Sequence, residues 1–265
     1  MLVFVSFSNC DNSFSPLKEN TQYPFSIYGY LDASVDTQWV RVAPTRNQLE
    51  MSAAKPFIRV TLTELETDQS TAMNDSLFRL PNGVHFINVW TTMDIKPEHT
   101  YRLVAERPDG ETSSVIVTIP KDFPTPKLIY GVDGCSARLE IEEVEHLADI
   151  QSVWILRSNS SGYLREEVRR FSYRSTARER TPNDYYTRIY ADREKEKLNL
   201  PAGRYNMSER YIFVAAAGRE WIPDIGSLGD IEYALPEGLS NVENGLGYLV
   251  GIVNKKVPYE KCLSP

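Results

Sequence analysis

The chain has 265 residues, a net charge of -7 and a pI of about 5.2. That length holds one large domain or two ordinary ones, and 42% hydrophobic with 25% charged residues gives real cores and excludes global disorder. An acidic balance lacks the basic footprint that neutralises phosphates, which argues against nucleic-acid binding. The run Arg165, Arg169, Arg170, Arg174, Arg178 and Arg180 is interleaved with Glu166, Glu167 and Glu179, and reads as a solvated mixed-charge face.

Residues 1–8 are apolar and meet Cys10 after Asn9; a polar, patternless stretch from Asp11 to Asn20 follows. This resembles the end of a secretory apolar region followed by a lipobox, in which the peptidase cuts before the cysteine and its thiol carries a diacylglycerol. No basic segment precedes it, and Phe7 and Asn9 depart from the small residues of a strict lipobox. The alternative is an edge strand of a cytosolic protein, left isolated by the polar spacer. No other apolar stretch approaches the length needed to span a bilayer, so the expected membrane attachment is acyl chains on Cys10, which hold by burying methylenes.

Strand patterns dominate from there. Residues 25–31 alternate in polarity, 38–43 place Trp39, Arg41 and Ala43 on one face and Val40 and Val42 on the other, and 57–65 turn Ile58, Val60 and Leu62 inward. This is the period of two of half-buried strands. Strands are also expected at 84–90, 100–106 and 114–119, the last two joined by a hairpin at Arg107-Pro-Asp-Gly110. Short strands at such spacing predict an immunoglobulin-like β-sandwich over 21–124. Pro120, Pro124 and Pro126 break both helix and sheet and place the domain boundary near residue 124.

A second β-rich domain with minor helix is expected over 125–265. Its strands fall at 127–132, 137–141, 152–157, 210–216 and 247–253, with a short helical turn at 142–149. The charged, tyrosine-rich stretches 163–173 and 184–194 fit strand or helix. Loops are expected at 159–162, at Ala202-Gly203, and through the glycine-rich stretch from Trp221 to Gly247. No internal repeat is visible in the sequence.

Little here carries catalytic chemistry. His85, His99 and His146 form no ligand pair, and no nucleophile elbow, Walker loop or dinucleotide fingerprint is present. Glu142 and Glu143 are adjacent and would face opposite ways on a strand, a poor acid/nucleophile pair. Asp224, Ser227 and Asp230 hold oxygens suited to a hard cation, but a plain capped loop is the favoured reading, so no metal and no cofactor are expected. Cys10, Cys135 and Cys262 form no zinc pattern. In an exported chain Cys135 and Cys262 can pair, worth on the order of 4–5 kcal/mol in the chain-entropy description; two unrelated thiols are the alternative. Trp90 and Trp154 read as core. Trp221 reads as a surface aromatic, and with Asn241, Asn244 and Tyr248 makes the candidate binding surface. The alternative for 241–251 is a tight bend, with Gly245 and Gly247 supplying close backbone approach.

Taken together, Cys10 with its polar tether, the strand around 27–31, the hairpin 101–120, the motif from Ser240 to Gly251, and Cys262 resemble the domain-of-unknown-function lipoproteins of Bacteroidota and relatives (DUF4249-like), often encoded near TonB-dependent receptors. The resemblance implies an outer-membrane, lipid-anchored, non-enzymatic binding or accessory module, working with such a receptor in nutrient capture. A structural or adhesive surface protein is the alternative, and a hydrolase the least favoured.

Overall fold

The computed structural model describes residues 23–45, 58–79, 85–160, 163–199, 205–222, 239–259 and 261. It is an all-β protein with a single α-helix among those residues. The first half supplies β1 (Phe25–Asp32), β2 (Gln38–Pro44), β3 (Arg59–Glu64), β4 (Gln69–Ala72), β5 (Asn74–Arg79), β6 (His85–Thr91), β7 (Thr100–Glu106) and β8 (Thr112–Thr118). The second supplies β9 (Lys127–Tyr130), β10 (Ser136–Ile141), β11 (Leu147–Ser160), β12 (Tyr163–Ser172), β13 (Arg178–Thr181), β14 (Asp184–Tyr190), helix α1 (Ala191–Leu198), β15 (Tyr205–Ala217) and β16 (Gly245–Pro258).

The strand orders reveal a repeat that the sequence hides. In the first half β1-β2-β6-β5 faces β4-β3-β7-β8; in the second β9-β10-β14-β13 faces β12-β11-β15-β16. Lettered A to G in chain order, with C′ after C, both halves read A-B-E-D against C′-C-F-G, the immunoglobulin-like arrangement. In β3 and β7 alternate residues are buried, Val60, Leu62 and Glu64 on the one and Tyr101, Leu103 and Ala105 on the other, with exposed or half-buried residues between them. Packing of such faces stabilises by roughly 25 cal/mol per Å² of apolar area removed from water. The hairpin at 107–110 closes with Gly110 N–H donating to Arg107 O at 3.0 Å, and the left-handed φ of +88° is one that glycine adopts without a steric penalty.

The halves are welded through β1 and β16. These strands run parallel in register from Phe25 with Gly245 to Asp32 with Ile252, which joins half of each sandwich into one eight-stranded sheet. Without this pairing β1 and β16 would each end a sheet with unpaired N–H and C=O groups, an invitation to aggregation. Glycines make the approach possible. A Cβ on Gly247 would lie 2.0 Å from Ile27 O of β1, and one on Gly251 would lie 2.5 Å from Thr118 O of β8, which packs against β16 there. One apolar cluster consequently runs through both interiors, from Val60 and Leu103 through Ile119 and Leu249 to Leu139 and Ile189. The proline-rich segment 119–126 is pinned to this core by buried Ile119 and Phe123, and by Lys255 on Asp122 at 2.7 Å.

One local expectation fails. Residues 142–149 form no helical turn: they are extended and bent, and 147–149 begin β11. The helix lies instead at 191–198, with Asn199 at φ +43° capping its C-terminus.

Candidate functional site

The residues expected to make a binding surface are mostly interior. Trp221 is 5% exposed and Tyr248 fully buried, in a second apolar cluster with Ala215, Ala217, Val250 and Ile252 on the outer side of the shared sheet. Tyr248 donates its hydroxyl hydrogen to Glu220 O, and burial pushes its pKa up to about 12. Asn241 is half-buried and mimics a strand: its Nδ2 donates to Leu249 O at 2.6 Å, and its Oδ1 accepts from Leu249 N at 3.0 Å. Asn244 is exposed, with Nδ2 donating to Thr112 O at 2.6 Å, while Ser114 and Glu243 exchange backbone bonds at 3.0 and 2.7 Å. The segment therefore clamps β8 to β16 and spends its polar groups there. Trp221 turns inward because its indole covers an apolar sheet face that polypeptide must cover somewhere.

Cys135 is disulfide-bonded. Cys262, its expected partner, lies outside the described residues, as do Cys10 and the Asp224–Asp230 stretch. Lys261 stands beside Tyr130, its Nζ 4.7 Å from the ring centroid.

Asp32, Glu64, Asp149 and Glu194 are buried acids, and in each sandwich one of them, Glu64 or Glu194, is held by a cation. Glu64, at the end of β3, accepts from Lys96 Nζ at 3.0 Å, contacts His99 Nδ1 at 2.6 Å, and bonds Thr67 and the Tyr101 hydroxyl. The Thr67 hydroxyl above all, with Lys96 and His99, outweighs desolvation and holds its carboxyl near a pKa of about 2. Tyr101 opens β7 and accepts from Lys96 N at 2.9 Å, the tyrosine corner of this architecture. In the second sandwich Glu194, on α1, accepts from Arg210 Nη2 at 3.0 Å, Ser152 Oγ at 2.8 Å, Trp154 Nε1 at 2.5 Å and the Tyr173 hydroxyl. The Arg210 guanidinium carbon lies 3.6 Å from the Tyr259 ring centroid and 4.5 Å from that of Trp154. Both carboxylates are bonded at both oxygens by donors from their own fold, which suits anchoring.

Two surfaces remain. On the outer face of β1, β2, β6 and β5 stands an aromatic ladder. Trp39 is 44% exposed, its ring 5.9 Å from Trp90 and 6.0 Å, edge-on, from Phe78; exposed Tyr30 stands on neighbouring β1. Trp39 and Trp90 are directly paired across β2 and β6. The alternation of 38–43 already set Trp39 opposite the Val40 and Val42 side; Trp90, read as core, belongs to this outer face. The second surface is a hollow of about 740 Å³ between β14, α1 and the end of β12. Arg170, Arg188, Arg193, Lys197, Tyr186 and Tyr190 line it.

No protein-family model matches the chain, and neither does any curated protein. Among solved structures, two of a pullulanase from Anoxybacillus sp. LM18-11, one complexed with maltotriose, share 9% identity with TM-scores of 0.24 and 0.25. The match covers 72% of this chain and 24% of each pullulanase. No helix among the described residues is long and apolar enough to cross a membrane, and no cluster of three metal-ligating side chains occurs among them.

Proposed function

We propose that the chain is a non-catalytic binding module of the cell envelope, held to the outer membrane by lipid on Cys10, that docks on a TonB-dependent receptor in nutrient capture. This reading keeps it with the DUF4249-like lipoproteins that its sequence resembles. The aromatic ladder is the observation that carries it. Trp and Tyr dominate the energetics of protein interfaces because they bury a large area for few lost rotamers, and here two tryptophans, a phenylalanine and a tyrosine are kept at the surface of a sheet. The sheet beneath is shared by both sandwiches, so the ladder is presented without hinge motion at its base. A Cys135–Cys262 bond belongs to the same reading, since disulfides persist in oxidising compartments.

The test is purification of the full-length chain from native membranes, with and without Trp39→Ala. We expect an acylated Cys10 peptide by mass, a co-purifying TonB-dependent receptor in near-equal amount, and loss of that receptor in the variant at an unchanged melting temperature. An unmodified chain in the soluble fraction, or a receptor retained by Trp39→Ala, overturns the reading.

A further inference from the structure

The hollow on the second sandwich is chemically unlike the rest of this acidic chain. Arg188, Arg193 and Lys197 line it, while Arg170 at its edge donates to Gln151 Oε1 at 3.2 Å, and no carboxylate of the described residues forms an ion pair with any of the four. The acid in its wall, Glu194, is 2% exposed and already paired to Arg210. The cations are also placed where they repel. Arg188 on β14 sits directly opposite Arg138 on β10, and like charges in that position destabilise a sheet. Arg138 has Glu140 at 2.6 Å; exposed Arg188 has no such relief.

Tyrosines alternate with the cations. Tyr186, Arg188 and Tyr190 fall at every second position of β14, so they share one face about 7 Å apart. The Arg193 guanidinium lies over the Tyr190 ring at 4.4 Å. Arg188 and Tyr190 also line an adjoining hollow of about 400 Å³, which gives an extended ligand a path across them. Arg forks bind carboxylate or sulfate with two parallel bonds, and ring faces with their negative quadrupole attract the polarised C–H faces of a sugar. An anion with no ring would leave the tyrosines unused, and a neutral glycan would leave the repulsion of Arg138 and Arg188 in place.

We infer that this hollow is a binding site for an acidic saccharide, its carboxylate or sulfate on Arg188 and Arg193 and its ring on Tyr190. The binding groups Arg188, Tyr190 and Arg193 lie on β14 and α1 of the second sandwich, and the ladder on strands of the first, so the assignment does not rest on a receptor docking there.

Calorimetry of the full chain with oligogalacturonate at low salt tests it, against a neutral malto-oligosaccharide of matched length and against sodium sulfate. We expect binding to the acidic oligomer that weakens with added salt, and none to the neutral one. Arg188→Ala should weaken it by roughly tenfold, the loss of one charge-assisted contact, and Tyr190→Ala should weaken it severalfold. Arg59→Ala, on the first sandwich, should leave it unchanged; matching melting curves confirm that each variant folds. Equal affinity for sulfate and oligomer, binding of the neutral oligomer, or indifference to Arg188→Ala overturns the assignment. So does sedimentation of the Cys10→Ala chain with phosphatidylglycerol vesicles that excess oligogalacturonate does not compete, which would give the face to the membrane.

Discussion

In the first sandwich the acid held by a cation lies at the rim of the sheets; in the second it lies between them. Both do the same structural job. Glu64 ends strand C of its sandwich and holds the E–F connection through Lys96 and His99, next to Tyr101 on strand F. Glu194 sits in the E–F connection itself, on α1, and holds strand C through Ser152 and Trp154 and strand F through Arg210. The difference is depth. Lys96 keeps 42% of its side chain in solvent, whereas that of Arg210 keeps 0%. One topology thus closes the same corner either with a tyrosine and a half-wet ion cluster or with a helix and a dry ion pair. The dry version depends on every partner being present, because the interior gives an orphaned charge no water to fall back on.

The largest expected effect follows from that dependence. Arg210→Ala leaves Glu194 buried without its cation, and removing one partner of a buried pair costs about 3–5 kcal/mol. Urea unfolding should show it as a lower midpoint. Replacing both, Glu194→Leu with Arg210→Met, should recover only part of the loss: it removes the desolvated pair but leaves Ser152 Oγ and Trp154 Nε1 buried without an acceptor. A single variant near wild-type stability would show that the pair is wetter than its surroundings suggest. The half-wet centre predicts a smaller loss for Lys96→Ala, roughly 1 kcal/mol or less.

The weld between the sandwiches is next. Gly247 has φ +114°, and an added Cβ would meet Ile27 O at 2.0 Å. Gly247→Ala therefore adds backbone strain to a steric clash, together about 2–3 kcal/mol. Amide exchange localises the damage. Residues 25–32 should lose protection before 100–106, which sit in the facing sheet. Uniform loss would mean that the two sheets of the first sandwich unfold only as one unit.

Much of the architecture is legible locally, and what is not is non-local. The period of two in 38–43, 57–65 and 100–106 reflects one wet and one buried face, and those strands are found. Short β4 and β5 escape because an edge strand of polar residues, such as Gln69–Ala72, has no buried face to impose a pattern. The stretch 184–194 fits both periods for a physical reason: it is a strand up to Tyr190 and a helix from Ala191. The repeated strand order leaves no trace in the sequence, since pairing order depends on burial and connection lengths and not on residue identity. The motif from Ser240 to Gly251 carries a visible signal, glycines for close approach, but the approaching partner is β1 at the other end of the chain. Of the two surfaces, half of the ladder is legible in Trp39. The cationic hollow is invisible because Arg170, Arg188 and Arg193 come together only through the fold, and in sequence their neighbours include as many acids.

A further effect separates the two centres by pH. Glu64 has a folded pKa near 2, below its ordinary 4.5. A depressed carboxylate contributes stability that is present above the unfolded value and is lost as pH falls through the folded one. The first sandwich should therefore weaken between about pH 4.5 and pH 2. Discounted for the solvent around Lys96 and His99, the loss is on the order of 1–2 kcal/mol. Glu64→Gln keeps the shape and removes the titration, so the variant should be less stable at neutral pH and flatter in that acid window. Urea midpoints across the window, read on Trp39 and Trp90 fluorescence for the first sandwich, decide it. An unchanged slope in Glu64→Gln would mean that the acid sensitivity comes from other carboxylates, and that Glu64 holds its corner by hydrogen bonds that survive loss of the charge.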